Sequence, residues 1–392
     1  VDGRRFLWTS ERSGFQQAWL WDGAGLRPVT RGRFHLDAIV AVDEAAGLLF
    51  FTGFADTPLE RALYRARLDG RGTPERLSEP GGWADAVMDK GGTVALVTRS
   101  TPDQPPQVAL VDRNGQRIRW VQENLLADTP YGPFAATHVS PRFGTLAAAD
   151  GQEMHWMMLV PADLKPGERR PVFFEVYGGP GVQRVRRAWG SLLHQHLVRR
   201  GWVVFALDNR GSSNRGVAFE APLYRALGGV EVEDQLRGLA FVKSQPFVDP
   251  DRVAVYGWSY GGYMVQRLMT KAPEAFAAGV SGAPVTDWRL YDTHYTERYL
   301  GNPAHDDTPY QSSDVVPDAA ALARPLLLIH GLADDNVVFD HSAKMMAALQ
   351  RAGRPFDTMV YPGQTHGIRE PVLAIHMWTG ILAFLERTVG AP

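Results

Sequence analysis

Beyond about residue 134, short apolar runs without polar alternation recur along the chain: Met154–Val160, Val172–Val176, Trp202–Leu207, Val253–Tyr256, Ala277–Ser281 and Leu326–Ile329. A strand with one face in water alternates apolar and polar side chains. An unbroken run such as Leu326-Leu327-Leu328-Ile329 therefore asks for cover on both faces. Helical patterns fall between the runs, at Leu192–Arg200, Glu231–Ser244, Gly262–Lys271, His341–Ala352 and Pro371–Thr388. Strand–helix alternation of this kind predicts a doubly wound α/β domain with a mostly parallel sheet over residues 134–392.

The first 133 residues obey a different rule. Phe6–Ser10, Ala18–Trp21 and a short strand ending near Thr30 surround the turn Asp22-Gly23. A similar unit runs from Leu48 to Ser78 with its turn at Asp69-Gly70, and a third from Val94 to Val121 with its turn at Asn114-Gly115. Aligning Trp8, Phe51 and Val97 gives periods of about 43 and 46 residues, the size of a four-stranded propeller blade. A plain β-sandwich is the competing reading; the propeller is the expectation. Three blades cannot close a ring, so further blades are expected upstream. The start, Val1-Asp2-Gly3-Arg4-Arg5, has neither an initiator Met nor the pattern of a signal peptide, and it reads as a cut inside a larger protein.

Composition narrows the function classes. With 41 Lys and Arg against 43 Asp and Glu, the net charge of −2 gives no electrostatic case for nucleic acid or an anionic membrane. No stretch of about 18 apolar residues is present, so no membrane span is expected. The chain has no Cys, which removes disulfides, thiolate nucleophiles and thiolate metal sites. His194 and His196 lie two apart in a helix pattern and face different ways, so no metal is expected, nor any other cofactor.

The chemistry is carried by Gly257-Trp258-Ser259-Tyr260-Gly261-Gly262, with the run Val253–Tyr256 before it and a helix after it. This is the G-x-S-x-G nucleophile elbow in the context it needs, and it makes the α/β-hydrolase fold the specific expectation. Glycines on either side of the serine admit a close approach of strand and helix. The helix N-terminus then aims its free N–H groups at a developing oxyanion. A hydroxyl needs a base to take its proton, and the base needs a carboxylate to fix its tautomer. In this fold they follow in the order acid, then His, each after a later strand. Leu326–Ile329 leads to Asp334 and Asp335, and Met359–Tyr361 leads to His366. The chemistry leaves either aspartate open as the acid. His330 is a rival base, but its place at a strand end suits it better to holding the acid loop.

Several motifs together resemble the prolyl oligopeptidase family of serine peptidases, most of all its dipeptidyl peptidase branch. They are Tyr177-Gly178-Gly179-Pro180, Asp208-Asn209-Arg210-Gly211-Ser212, the elbow through Tyr263, Tyr295–Tyr299, His330–Val337 and His366-Gly367-Ile368. Trp8–Arg12 resembles a late blade of the family's propeller. The resemblance implies Asp334 as the triad acid, and Tyr177 with the Tyr260 N–H as the oxyanion hole. It implies Val285, Trp288, Tyr291, Tyr295, Tyr260 and Val337 as the pocket for the residue before the scissile bond, usually Pro and sometimes Ala. Asn336 is implied to bind the preceding carbonyl, and Arg298 to lie near the substrate amino terminus.

Read without the resemblance, Trp288, Tyr291 and Tyr295 form a helical core stripe, which can equally be the wall of a pocket. The family's paired glutamates, which grip the substrate amino terminus, have no counterpart in this sequence. The resemblance further implies release of dipeptides, a homodimer and, for bacterial relatives, the periplasm, with a cytoplasmic location also open. A tripeptidyl or acylaminoacyl peptidase or esterase of the same fold is the alternative, as is a non-catalytic binding protein.

Overall fold

An eight-stranded sheet organises the second half of the chain in the computed structural model, which describes residues 5–392. The reading of Val1–Arg4 as a cut end lies outside the described residues. The strands are β1 (Arg142–Ala147), β2 (Glu153–Leu159), β3 (Arg170–Glu175), β4 (Val203–Leu207), β5 (Val248–Trp258), β6 (Ala278–Gly282), β7 (Leu326–Gly331) and β8 (Asp357–Tyr361). They lie in the order β1-β2-β4-β3-β5-β6-β7-β8. Pairing is antiparallel from β1 to β2 and from β2 to β4, and parallel from β4 onward. Six helices matter here: α1 (Leu192–Arg199), α2 (Val230–Lys243), α3 (Tyr260–Lys271), α4 (Thr293–Leu300), α5 (Asp340–Arg351) and α6 (Pro371–Thr388).

Burial follows the apolar pattern. Every residue of β4, β6 and β7 is buried, as two-sided cover requires, whereas the outer strands β1 and β8 are exposed or half-buried apart from Tyr361. The strand β1 has no apolar run to announce it. It is a half-polar edge strand, held in a hairpin by Ala148 N–H donating to Gln152 O at 2.8 Å. Helix α3 packs on β5 and β6, and small residues set how closely. A Cβ at Gly279 would stand 2.0 Å from the Met269 sulfur and 2.9 Å from Val265 Cγ1, so any larger residue there would have to push α3 side chains aside.

The chain divides into two units. One holds the chain up to Ser140 with Val185–Leu192 and Ser213–Glu220; the other holds Pro141–Arg184, Leu193–Ser212 and Ala221–Pro392. In the first unit three antiparallel sheets follow one another in sequence. Phe6–Ser10, Gln17–Trp21 and Leu26–Pro28 form a three-stranded sheet. Leu36–Asp43, Leu48–Gly53, Ala62–Arg67 and Glu75–Arg76 form the second, and Trp83–Met88, Val94–Thr101, Gln104–Asp112 and Arg117–Gln122 the third.

Neighbouring side chains on one strand face opposite ways. Phe51 accordingly joins Ala18, Leu20 and Tyr64 in a cluster shared with the first sheet. Phe50 joins Ala95, Val97 and Ala109 in a cluster shared with the third. A middle sheet covered on both faces by its sequence neighbours is how propeller blades pack.

Two strands escaped the sequence pattern, Leu36–Asp43 and Trp83–Met88, the first of their sheets. Each carries acidic side chains within its run, and Asp37 and Asp85 are both paired with Arg61. The repeat units read from the sequence therefore began one strand late.

A buried ion pair ties α2 to the loop after β4. Arg210 donates to Asp234 through Nη2 at 2.7 Å and Nε at 2.9 Å, and its backbone N–H adds a third bond at 3.0 Å. Both residues are buried. Removing Asp234 leaves Arg210 with the weaker contacts to Asp150 at 3.2 Å and Glu233 at 3.9 Å, so Asp234→Ala is expected to destabilise the unit by about 1–3 kcal/mol. A urea unfolding midpoint within error of the wild type would contradict this.

Candidate active site

The strand β5 ends at Trp258, and α3 begins at Tyr260. Between them Ser259 sits at φ 63° and ψ −121°, a conformation that costs a non-glycine residue energy and turns its side chain out of the strand–helix line. Two backbone bonds hold it, Ser259 N–H to Gly282 O at 2.8 Å and Tyr263 N–H to Ser259 O at 3.0 Å. The flanking glycines have clear reasons. A Cβ at Gly257 would lie 2.2 Å from Gly261 O, one at Gly261 would lie 2.4 Å from Val176 O, and one at Gly262 would lie 2.5 Å from Gly282 O. The N–H of Tyr260 opens the helix and has no carbonyl partner within it.

Asp334 and His366 lie on adjacent loops stapled to each other. Leu332 N–H donates to Tyr361 O and Ala333 N–H to Gln364 O, both at 3.0 Å. A Cβ at Gly331 would be 2.3 Å from Gln364 O, so glycine permits this contact. Asp334 then meets His366, Oδ2 to Nδ1, at 2.8 Å. Its other oxygen accepts the N–H groups of Asn336 at 3.0 Å and Val337 at 2.9 Å. Burial alone raises the pKa of Asp334. Hydrogen bonds from His330, His366 and Val337 outweigh it and hold the carboxyl well below the ordinary carboxylate range. Asp335, the other member of the pair, is exposed.

The imidazole loop is tied to the elbow from the opposite side. The Trp258 indole N–H donates to the His366 carbonyl at 2.8 Å. The structure thus joins Asp334 to His366 directly, and His366 to the residue before Ser259 through its backbone. Among the described residues no hydrogen bond links the Ser259 hydroxyl to the imidazole; such bonds are often long in unliganded sites.

Tyr177 follows β3, its ring 5.9 Å from that of Tyr260. Burial, reinforced by nearby Tyr291, pushes its hydroxyl up to about 12, so the phenol keeps its proton at neutral pH. A Cβ at Gly179 would stand 2.5 Å from the Tyr260 ring, which accounts for a glycine in the Tyr177–Pro180 loop.

An aromatic wall stands beside these groups. Trp288 is buried, its ring 5.4 Å from Tyr260, 5.9 Å from Tyr291 and 6.0 Å from Tyr295. Val285 and Val337 are buried as well. Tyr291 donates its hydroxyl to Asn336 Oδ1 at 3.0 Å, which leaves the exposed Asn336 NH₂ free to donate outward. Arg298 is exposed on α4, its guanidinium 5.8 Å from the Tyr299 ring.

Some polar residues here were not singled out from the sequence. Glu231 is fully buried, accepts the Tyr260 hydroxyl at 2.8 Å and the N–H groups of Gly228 and Gly229, and has its pKa raised by burial. Its signal was the acidic start of a helix, which also describes an ordinary solvated first turn. His194 is buried against Glu175, Nε2 to Oε2 at 2.8 Å, while His196 is exposed on the other side of α1. Among the described residues Glu11, His35 and Glu220 in the first unit form a different group, with ligand atoms within 4.8 Å of one another.

An eight-stranded sheet in this order, with an elbow serine, an acid loop and a histidine loop at the ends of its strands, is that of an α/β hydrolase. Residues 190–392 match the model of the prolyl oligopeptidase family, and residues 1–106 match the dipeptidyl peptidase IV N-terminal region. The chain belongs to the prolyl oligopeptidase family.

It is 33% identical over 362 residues to dipeptidyl peptidase 8 of Mus musculus, which covers 89% of this chain and 40% of that protein. It is 32% identical over 365 residues to dipeptidyl peptidase 8 of Homo sapiens, covering 90% of this chain and 40% of that one. The crystal structure of Porphyromonas gingivalis dipeptidyl peptidase 4 superposes with a TM-score of 0.93 at 29% identity, over 99% of this chain and 55% of the other. The chain thus spans less than half the length of the two dipeptidyl peptidase 8 relatives.

Gly261→Ala tests the elbow. The added methyl would meet a backbone carbonyl that cannot move aside, so overpacking should cost about 1–3 kcal/mol and spread β3 from α3. Thermal melting should report the loss, and an unchanged melting temperature would mean that the strand and helix are less tightly apposed.

Proposed function

We propose that this chain carries the catalytic domain of a serine exopeptidase that releases N-terminal dipeptides from peptides with Pro or Ala in second position. Residues from about 134 onward form its peptidase domain, and residues 1–133 its propeller part. The observation that carries the reading is the Asp334–His366 pair, 2.8 Å apart, anchored by its backbone to the residue preceding a strained elbow serine.

Ser259 attacks the peptide carbonyl while His366 takes the hydroxyl proton. Asp334, accepting from Nδ1, leaves Nε2 as the nitrogen that faces the reaction, and stabilises the imidazolium that forms. The carbonyl oxygen becomes an oxyanion between the Tyr177 hydroxyl and the Tyr260 N–H. A phenol with its proton held to about pH 12 is a donor that charge development cannot strip at neutral pH. His366 next protonates the leaving amine, which departs as the shortened peptide. Water then attacks the acyl-enzyme by the same route, with His366 again as base and then acid.

Rings that brace one another, among them Trp288, Tyr260 and Tyr295, suit a compact pyrrolidine or methyl group and exclude long side chains by overlap. The Asn336 amide is placed to donate to the carbonyl of the preceding substrate residue. Arg298 stands near the substrate amino terminus. A homodimer belongs to the same proposal.

Ser259→Ala is expected to lower turnover of a Gly-Pro-anilide by about 10⁶-fold while circular dichroism stays native, the scale known for a triad serine in subtilisin. Residual turnover near the wild-type level would sink the assignment. Tyr177→Phe should lower kcat by about 10²–10³-fold with little change in KM, since the donor acts on the oxyanion and less on the bound substrate. Equal kcat in the two proteins would remove Tyr177 from the oxyanion hole. Acetyl-Ala and short ester substrates, run in parallel, separate dipeptide release from acylaminoacyl peptidase or esterase activity.

A further inference from the structure

The carboxylate of Asp334 is shared by two imidazoles. His330, near the end of β7, is 1% exposed, with Nδ1 2.7 Å from Ser342 Oγ on α5. Its Nε2 lies 2.8 Å from Val337 O and 3.2 Å from Asp334 Oδ2. A carbonyl can only accept, so Nε2 carries a proton, and in the neutral ring Nδ1 then accepts the Ser342 hydroxyl. The same nitrogen Nε2 thus lies beside Asp334 Oδ2, the oxygen that accepts the hydrogen bond from His366 Nδ1. Oδ1 accepts the N–H groups of Asn336 and Val337, while Oδ2 accepts from His366 and has His330 Nε2 beside it.

From this geometry we infer that His330 is a positioning residue for the hydrolytic reaction, and that Ser342 fixes its tautomer. The inference rests on the triad proposed above. His330 does not serve as the base, because it is buried and both of its nitrogens are engaged. It acts through Asp334. It pins the carboxylate rotamer and takes part of the negative charge on Oδ2, which limits how strongly that oxygen draws the imidazolium of His366.

The surroundings leave this role to His330. Phe339 packs against its ring, with centroids 5.6 Å apart. His341, on α5, is uncharged at neutral pH, since burial lowers it to about 4, and its Nδ1 accepts the Thr286 N–H at 3.1 Å. The nearby Lys344 and Asp287 pair with each other at 3.0 Å. Tyr291, facing Asp334 from the segment after β6, is held in its protonated form by burial. Asp335 is exposed.

The test compares wild type, His330→Leu, His330→Gln and Ser342→Ala by the rate of fluorophosphonate labelling of Ser259 and by kcat and KM on Gly-Pro-anilide across pH. His330→Leu should slow labelling and kcat by about 10–100-fold, the usual effect of losing an outer-shell partner, with KM changed by less than about threefold. Because Oδ2 then bears more charge, the acid limb of kcat/KM should move to higher pH. His330→Gln, whose amide N–H can reach the same oxygen, should recover most of the loss and return the limb toward wild type. Ser342→Ala should give a smaller shift in the same direction.

If His330→Leu does not fold, the Gln and Ser342 variants carry the same comparison. Labelling at the wild-type rate with an unmoved acid limb in every variant would overturn the positioning role. So would a Gln variant as impaired as the Leu variant. A wild-type chain that fails to label would instead overturn the triad reading itself.

Discussion

How closely α3 can approach the strands beneath it decides whether the turn at Ser259 can exist in this chain. Ser259 holds a backbone conformation that an isolated peptide would abandon, and the surrounding contacts keep it there. Those contacts need backbone against backbone. Val176 O lies where a side chain at 261 would be, and Gly282 O where one at 262 would be. Three glycines are therefore structural conditions for the strained turn at Ser259. The Ser259 N–H bond to Gly282 O then anchors the turn to the neighbouring strand β6.

The electrostatics of the rim follow from burial with enough donors. Asp334 is a buried carboxylate kept ionised because N–H groups surround it, so it can orient an imidazole without competing for its proton. Tyr177 and Tyr260 show the reverse. Burial favours their neutral forms, and both remain donors over the working range of pH. Glu231 receives the Tyr260 hydroxyl from below and so fixes a ring on which Trp288 and Tyr177 lean. The same aromatic group thus braces Tyr177, Tyr260 and Trp288 as one cluster.

Much of this was legible in the sequence where one residue type has one use. The unbroken run Leu326–Ile329 could only be a doubly covered strand, and glycines spaced around a serine in a strand–turn–helix serve close backbone approach and little else. The order Ser259, Asp334, His366 followed from the strands that precede them. Chemistry left Asp334 and Asp335 open, family resemblance favoured the first, and the bond to His366 lies with the first.

Legibility failed where burial and polarity part company. Glu231 and Asp234 open a helical pattern with nothing to mark them as interior, yet both are fully buried, because their partners Tyr260 and Arg210 come from distant segments. The strand Leu36–Asp43 was missed because its acidic side chains pair with an arginine instead of marking a loop. Edge strand β1 had too little apolar content to register at all.

The adjacent pair Phe50 and Phe51 has a consequence for how the N-terminal unit holds together. Each ring belongs to a different junction, so the sheet between them grips its two neighbours independently, and its fate is coupled to the adjoining sheets alone. Cohesion in such an array is passed hand to hand along the row. A weakness at one junction is felt first by the pair it joins, and it reaches the rest only through them.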